Sequence, residues 1–173
     1  MKGTLIAMVG VGLALCGCAP LSKRLVSNEE HLRSGARYDL VGMVRSKDAE
    51  KTIPEIAREM RVYLADPSSY VREDAVVAIG LMSTLAVELV PDLKSFINQA
   101  NSQRERYIAV RSLGQVSPQD EAYFIPLVVE GIVWSSNQIG NDSNLEKPLL
   151  EVLRGSQSPE AAMATVTFAA HEN

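Results

Sequence analysis

Apolar residues recur at spacings of three and four along most of this chain, the pattern that places side chains on one face of an α-helix. One helix is predicted after the turn-rich stretch at 66–69, with an apolar stripe of Val71, Ala75, Ala78 and Ile79. Another is predicted to open near Pro91, with a stripe of Leu89, Leu93, Phe96 and Ile97. The pattern therefore predicts an all-α protein.

This pair of helices recurs along the sequence. A shift of 34 residues aligns Arg72 with Arg106 and Gly80 with Gly114. In an upstream copy the second helix is predicted to open at Pro54, with a stripe of Ile53, Ile56, Ala57 and Met60. Because self-similarity at such a period is typical of solenoids, we expect a short α-solenoid of three to four antiparallel helix pairs.

The two ends of the chain are less regular. Ser27 followed three residues later by Glu30 predicts a capping box that opens a helix. Residues 135–144 are polar without an apolar period and predict an exposed loop. Helices are predicted at 145–154 and 158–170, the former resembling a second helix of the repeat and the latter a first helix. They form either a terminal cap, from about 145, or a fourth repeat.

Residues 1–17 have the build of a secretory signal peptide. Lys2 supplies a positive start, and residues 3–15 form an apolar run. That run has 13 residues and is interrupted by glycines, whereas a membrane-spanning helix needs about 20 apolar residues. A retained transmembrane anchor is therefore disfavoured.

The segment Leu15-Cys16-Gly17-Cys18 resembles the lipobox of bacterial lipoproteins, since a leucine stands three residues before Cys18 and a glycine directly before it. The resemblance implies cleavage before Cys18 and a diacylglycerol on its thiol. Residues 18–28 would then be a lipidated tether for a helical repeat domain at 29–173.

The same resemblance implies a location. Ala19 follows the cysteine, where an aspartate would retain the protein in the inner membrane of enterobacteria-like cells. We therefore expect a lipid-anchored protein of the outer membrane that faces the periplasm. Two alternatives stay open: an ordinary signal peptide with an accidental cysteine, and acylation of Cys16, which follows the large Leu15 rather than a small residue.

The run LADPSSYVREDAVVAIG at residues 64–80 resembles the first helix of a HEAT repeat. The resemblance implies that Asp66 and Arg72 belong to a ladder of contacts between successive repeats, with Arg106 as the next arginine. Three prolines match the start of the family's second helix: Pro54, Pro91 and Pro126. HEAT arrays serve many unrelated functions, so the resemblance predicts a fold rather than an activity.

The charge, the cysteine positions and the missing motifs disfavour several classes of function. The expected mature chain has 156 residues and a net charge of −5, which disfavours nucleic acid as a partner. Both cysteines lie at or before position 18, so we expect neither a disulfide nor a thiolate-metal site in the domain. His31 and His171 lack converging ligands in the sequence. We therefore expect no bound metal. Because the sequence has no nucleophile motif and no phosphate-loop motif, we also expect no cofactor and no catalytic residue, and we expect that the protein is not an enzyme.

A partner-binding face is predicted on the second helices, which usually line the concave side of HEAT arrays. Ordinary solvation of the same side chains is the alternative. Trp134 is interpreted as a buried anchor against the terminal cap, in preference to an exposed binding hot spot. The residues of this second-helix face are Arg58, Glu59, Arg61, Lys94 and Asn98.

Together these features predict a membrane-anchored interaction scaffold or assembly factor of the bacterial cell envelope that binds an envelope protein. One alternative is an enzyme related to the HEAT-like phycobilin lyases, although an exported lipoprotein lies in the wrong compartment for that chemistry. A purely structural envelope lipoprotein bound to the cell wall is the other.

Overall fold

A computed structural model describes residues 19–137, 145–156 and 158–169 of the chain. Within these residues the regular structure is entirely helical, which confirms the all-α prediction. Two 3-10 helices, Ser83–Leu89 and Pro118–Asp120, precede α5 and α7. The α-helices are α1 (Leu21–Leu25), α2 (Glu30–Val44), α3 (Ala49–Tyr63), α4 (Ser69–Leu81), α5 (Val90–Gln99), α6 (Gln103–Val116), α7 (Glu121–Ser136), α8 (Glu146–Gly155) and α9 (Pro159–Ala169).

The helices pack in consecutive pairs. The first helices of the pairs lie side by side, because α4 contacts both α2 and α6. The second helix of each pair packs against the first helix of the next pair: α3 packs on α4, and α5 packs on α6. This is the arrangement that the sequence repeat predicts. Membership of the HEAT family stays a prediction.

The predicted apolar stripes form the core. Ala75, Ile79, Leu89 and Leu93 are fully buried, and Ile97 is nearly so. In α3 the stripe is buried in the same way at Ile53, Ala57 and Met60. The helical spacing in the sequence therefore identified the inward faces of these helices correctly.

Two predicted helix starts are wrong. Pro54 and Pro126 do not open their helices: each is the sixth residue, in α3 and α7 respectively. A proline at that position removes one intrahelical hydrogen bond. The residues ahead of it are nevertheless buried, Ile53 at 0 % exposure and Phe124 at 2 %. Burial of these apolar side chains offsets the missing bond, so tertiary packing extends both helices upstream.

The capping box predicted at Ser27 and Glu30 does not form. The Ser27 hydroxyl accepts from the Glu29 amide at 3.2 Å, and the Glu30 carboxylate binds Arg33 and Ser34. Serine makes such short turns as readily as it caps a helix. The spacing alone could not distinguish the two.

The predicted tether at 18–28 is also wrong in its extent, because the folded body begins at α1. Leu25 is fully buried, and Ser22 is 5 % exposed. Helix α1 contacts α2, α3 and α4. A five-residue helix is too short to show an amphipathic period in sequence, so only packing reveals it.

The last two helices exchange the roles predicted for them. Helix α8 contacts α6 and α7, as a first helix does, and α9 contacts α7 and α8, as a second helix does. Leu149 and Ala161 are fully buried between these elements. The loop predicted at 135–144 starts later than expected, since α7 ends at Ser136; its residues 138–144 lie outside the described part.

Candidate partner-binding surface

The two arginines of the second-helix face both reach the next helical element of the same face. Arg61 on α3 pairs with Asp92 on α5 at 3.0 Å. Arg58, whose side chain is 65 % exposed, lies 3.8 Å from Glu88 in the 3-10 helix before α5. The helical spacing of Arg58 and Arg61 directs both side chains toward the following unit.

On α5 the pattern continues toward α7. The Lys94 Nζ lies 3.0 Å from an Asp120 oxygen and 5.0 Å from the centre of the Tyr123 ring. The Tyr123 hydroxyl donates to the Asn98 Oδ1 at 3.5 Å. Hydrogen bonds from Ser117 and then from Lys94 lower the pKa of the Asp120 carboxyl. These contacts connect the second and third units.

Four of the predicted residues, Arg58, Arg61, Lys94 and Asn98, make contacts between units along the second helices, whereas Glu59, two residues from Arg61, points to another side of α3. Each basic side chain of the face has an acidic partner, so its charge is locally balanced rather than concentrated. Glu59 is exposed. Surface pairs of this kind, whose side chains are between 30 % and 65 % exposed, contribute little to stability, roughly 0–1 kcal/mol each, which leaves them available for exchange with the charges of a partner.

The predicted ladder differs in its partners. The Arg72 Nε donates to the Glu105 Oε1 of α6 at 3.0 Å, and the Glu105 side chain is 1 % exposed. The other Glu105 oxygen accepts from the Asn101 amide at 3.1 Å. The Ser102 hydroxyl accepts from the Glu105 amide, also at 3.1 Å. Glu105 therefore links α4 to α6 and stabilises the start of α6, a role that the sequence reading missed.

The other two ladder residues act within their own units. The Asp66 carboxylate accepts from the Ser68 amide at 2.8 Å. Arg72 donates to the backbone carbonyl of Asp66, at 2.7 Å, and to that of Pro67, at 3.0 Å, rather than to the Asp66 carboxylate. Arg106 lies 3.3 Å from Glu130 of α7. The Asp66 carboxylate therefore stabilises a turn, and Arg106 joins the two helices of its own pair.

A second cluster of ion pairs lies in a groove across the first helices α2, α4 and α6. The sequence analysis did not predict it. The Asp74 carboxylate of α4 forms ion pairs with Arg33 and Arg37 of α2. Glu73 pairs with Arg104 of α6 at 3.0 Å. Burial raises the pKa of both the Asp74 and the Glu73 carboxyl groups, against the effect of their arginine partners. Arg37 aligns with Arg72 at a shift of 35, a signal that could have revealed this contact.

Trp134 is half-buried, and its ring contacts the Tyr107 ring of α6, with centroids 5.4 Å apart. The Tyr107 hydroxyl donates to Glu130 at 3.0 Å. Burial, with the bond to Glu130, raises the Tyr107 pKa to about 12. Trp134 thus packs against the first helix of its own pair, and the full burial predicted for it is wrong, because its side chain stays half-buried.

The described residues also contain open clefts. The one between α6, α7 and α8 has a volume of about 210 Å³ and is lined by Gly114, Phe124 and Val152, among others. No group of three or more metal-ligating side chains occurs in the described part of the chain. His31 is exposed and has Glu29 at 3.5 Å. His171 lies outside the described ranges.

Cys18 and the preceding segment lie outside the described residues, so the lipidation prediction rests on sequence alone. In the ranges that are described, no helix is both long and apolar enough to cross a bilayer. Comparison with known protein families, with curated proteins and with solved structures finds no match to this chain.

Proposed function

We propose that this protein is a lipid-anchored interaction scaffold of the bacterial cell envelope. The observation that carries the proposal is the segment Leu15-Cys16-Gly17-Cys18, which ends three residues before the folded body begins at Leu21. Two or three acyl chains at Cys18 would hold the protein on a membrane essentially permanently, because one chain alone binds only marginally. The protein would then work at a membrane surface without spanning it.

The second-helix face is the surface proposed to bind an envelope protein. It is supported by its extent over α3 and α5 and by the exposure of Arg58 and Glu59. Stacked helix pairs offer such elongated surfaces without any catalytic apparatus. Balanced ion pairs at a surface give specificity by exchange with complementary charges more than they give affinity.

Mass spectrometry of the native amino-terminal peptide tests the anchor. We expect a chain that starts at acylated Cys18 and fractionates with the outer membrane. Cys18→Ser should abolish acylation, whereas the matched Cys16→Ser variant should be acylated normally. An unmodified amino terminus, or acylation that Cys16→Ser abolishes and Cys18→Ser does not, contradicts the assignment.

Crosslinking in living cells tests the binding face. Arg58→Glu with Lys94→Glu should reduce capture of the envelope partner by roughly tenfold, which corresponds to about 1.4 kcal/mol. The control is Lys147→Glu with Arg154→Glu, the same change of charge at exposed positions of α8, and it should capture normally. Equal capture by both variants contradicts the face. Capture of peptidoglycan without a defined protein would favour the purely structural lipoprotein instead.

A further inference from the structure

Helix α1 runs back along α2. The Arg33 guanidinium, near the start of α2, donates to the Ser27 carbonyl at 2.6 Å. Arg24, three residues earlier than Ser27, instead pairs with Asp39, further along α2, at 3.0 Å. Residues closer to the amino terminus of the chain therefore contact residues closer to the carboxyl end of α2. The end of α1 that leads to Cys18 points toward the turn between α2 and α3.

The distance from Cys18 to this body is short. Leu21 begins α1 three residues after Cys18, and consecutive Cα atoms are 3.8 Å apart, so the link spans at most about 11 Å. Leu25 fixes α1 in the core at 0 % exposure. A lipid at Cys18 would therefore hold the first helix pair close to the bilayer, without a long flexible tether.

The side chains at this edge are predominantly basic. Lys23, Arg45, Lys47 and Lys51 are exposed, and within the described residues none of them makes an ion pair. Asp48 and Glu50 lie in the same segment, so the six groups together carry a net charge of +2. Basic groups close to a membrane surface are attracted to anionic headgroups.

The later part of the chain has the opposite charge. Residues 19–63 contain nine basic and seven acidic side chains, whereas residues 64–173 contain seven basic and fourteen acidic ones. The turn between α6 and α7 lies at the same end of the helices as the turn between α2 and α3, since successive helices alternate in direction, but two helix pairs further along the stack. It carries Asp120 and Glu121 instead of lysines. An anionic surface would repel it.

We propose that the protein stands end-on on a bilayer that contains anionic phospholipid. The edge formed by the start of α1 and the α2–α3 turn faces the headgroups, and the acidic later helix pairs project away from the membrane. This orientation rests on the lipid anchor of the proposed function. It would present the second-helix face sideways to a partner, clear of the bilayer.

Fluorescence quenching by spin-labelled lipids tests the orientation. The acylated protein is reconstituted in vesicles of phosphatidylglycerol and phosphatidylethanolamine, with a thiol-linked fluorophore at Lys23→Cys or at Gln119→Cys. The labelling is selective, because the domain has no cysteine of its own and the Cys18 thiol is acylated. Quenching should be several-fold stronger at position 23 than at position 119. Equal quenching would mean that the molecule lies side-on against the bilayer, and it overturns the proposal.

A charge variant tests the electrostatic contribution. Lys47→Glu with Lys51→Glu should bring the quenching ratio between positions 23 and 119 closer to one, and Lys147→Glu with Arg154→Glu on α8 should leave it unchanged. An unaltered ratio in the first variant overturns the role of the basic edge. An amino-terminal peptide without acyl chains overturns the proposed function, whereas an acylated protein with equal quenching overturns the orientation alone.

Discussion

The Arg72 guanidinium of α4 donates two hydrogen bonds to one oxygen of Glu105, a carboxylate of α6 that is 1 % exposed. The second oxygen of Glu105 accepts from the Asn101 amide at the start of α6. One buried acid thus joins two neighbouring helix pairs and satisfies a backbone donor. A charge in this position is tolerated only because each of its contacts is made.

Glu105→Ala should destabilise the protein by about 3 kcal/mol, because it leaves the largely buried Arg72 without its counter-charge. Glu88→Ala is the matched control, since the Glu88 side chain is 44 % exposed and lies 3.8 Å from Arg58; it should cost less than about 1 kcal/mol. Urea denaturation measures both values. Similar losses in the two variants would show that burial does not govern these pairs.

Gly131→Ala should destabilise the protein by about 1–3 kcal/mol, the range expected for overpacking. An added Cβ would lie 2.7 Å from the Tyr107 ring and 2.9 Å from Leu149. Gly42→Ala in α2 is the control, because nothing lies within 4 Å of its added Cβ. It should stabilise the protein by about 0.5–1 kcal/mol, since alanine favours the helix. Thermal unfolding should therefore shift in opposite directions, and equal shifts would contradict the close packing.

Asp74 and Asp120 should give opposite pH dependences. Burial raises the Asp74 pKa above its ordinary value of 3.8. Its contribution to stability is therefore fully present below 3.8 and is lost as the pH rises through the higher folded-state value. The difference in unfolding free energy between the wild type and Asp74→Asn should fall as the pH rises through this window. Urea denaturation at a series of pH values measures it.

For Asp120→Asn we expect the opposite change of stability with pH. The Asp120 pKa is lowered below 3.8, first by the Ser117 hydroxyl and then by Lys94. The contribution of Asp120 is present above 3.8 and is lost as the pH falls through the lower folded-state value. The difference between the wild type and Asp120→Asn should therefore grow as the pH rises through that window. Parallel trends for Asp74→Asn and Asp120→Asn would refute the two assignments.

Leu25→Ala should destabilise the protein by about 2–5 kcal/mol, because it opens a cavity at a fully buried site where α1 packs on the folded body. Val62→Ala, at a side chain that is 72 % exposed, should change the unfolding free energy by no more than about 0.5 kcal/mol. Urea denaturation of the chain from Cys18 onward compares them. A Leu25→Ala value as small as that of Val62→Ala would restore the tether interpretation of this segment.

The helices with long apolar stripes could be predicted because their spacing is a local property. The stripes around Ile79 and Leu93 therefore identified both the elements and their buried sides. The ends of the helices were harder to predict from sequence. Pro54 predicts a helix start, yet α3 begins further upstream, because Ile53 is buried in the core. The binding role of the second-helix face stays a prediction, and the acidic partners of its basic side chains, such as Asp120, come from turns that the spacing could not identify.

The sequence by itself determined the helical class, the repeated pairing and the cysteine at which we propose the anchor, because each depends on the order of neighbouring residues. Only the tertiary structure decided that Glu105 rather than an aspartate receives Arg72, that α1 belongs to the body, and that α8 takes the place of a first helix. These outcomes depend on which surfaces meet when the helices pack. Spacing along the chain specifies which face of a helix is apolar, whereas the energy of burial selects the side chains that meet across the interface.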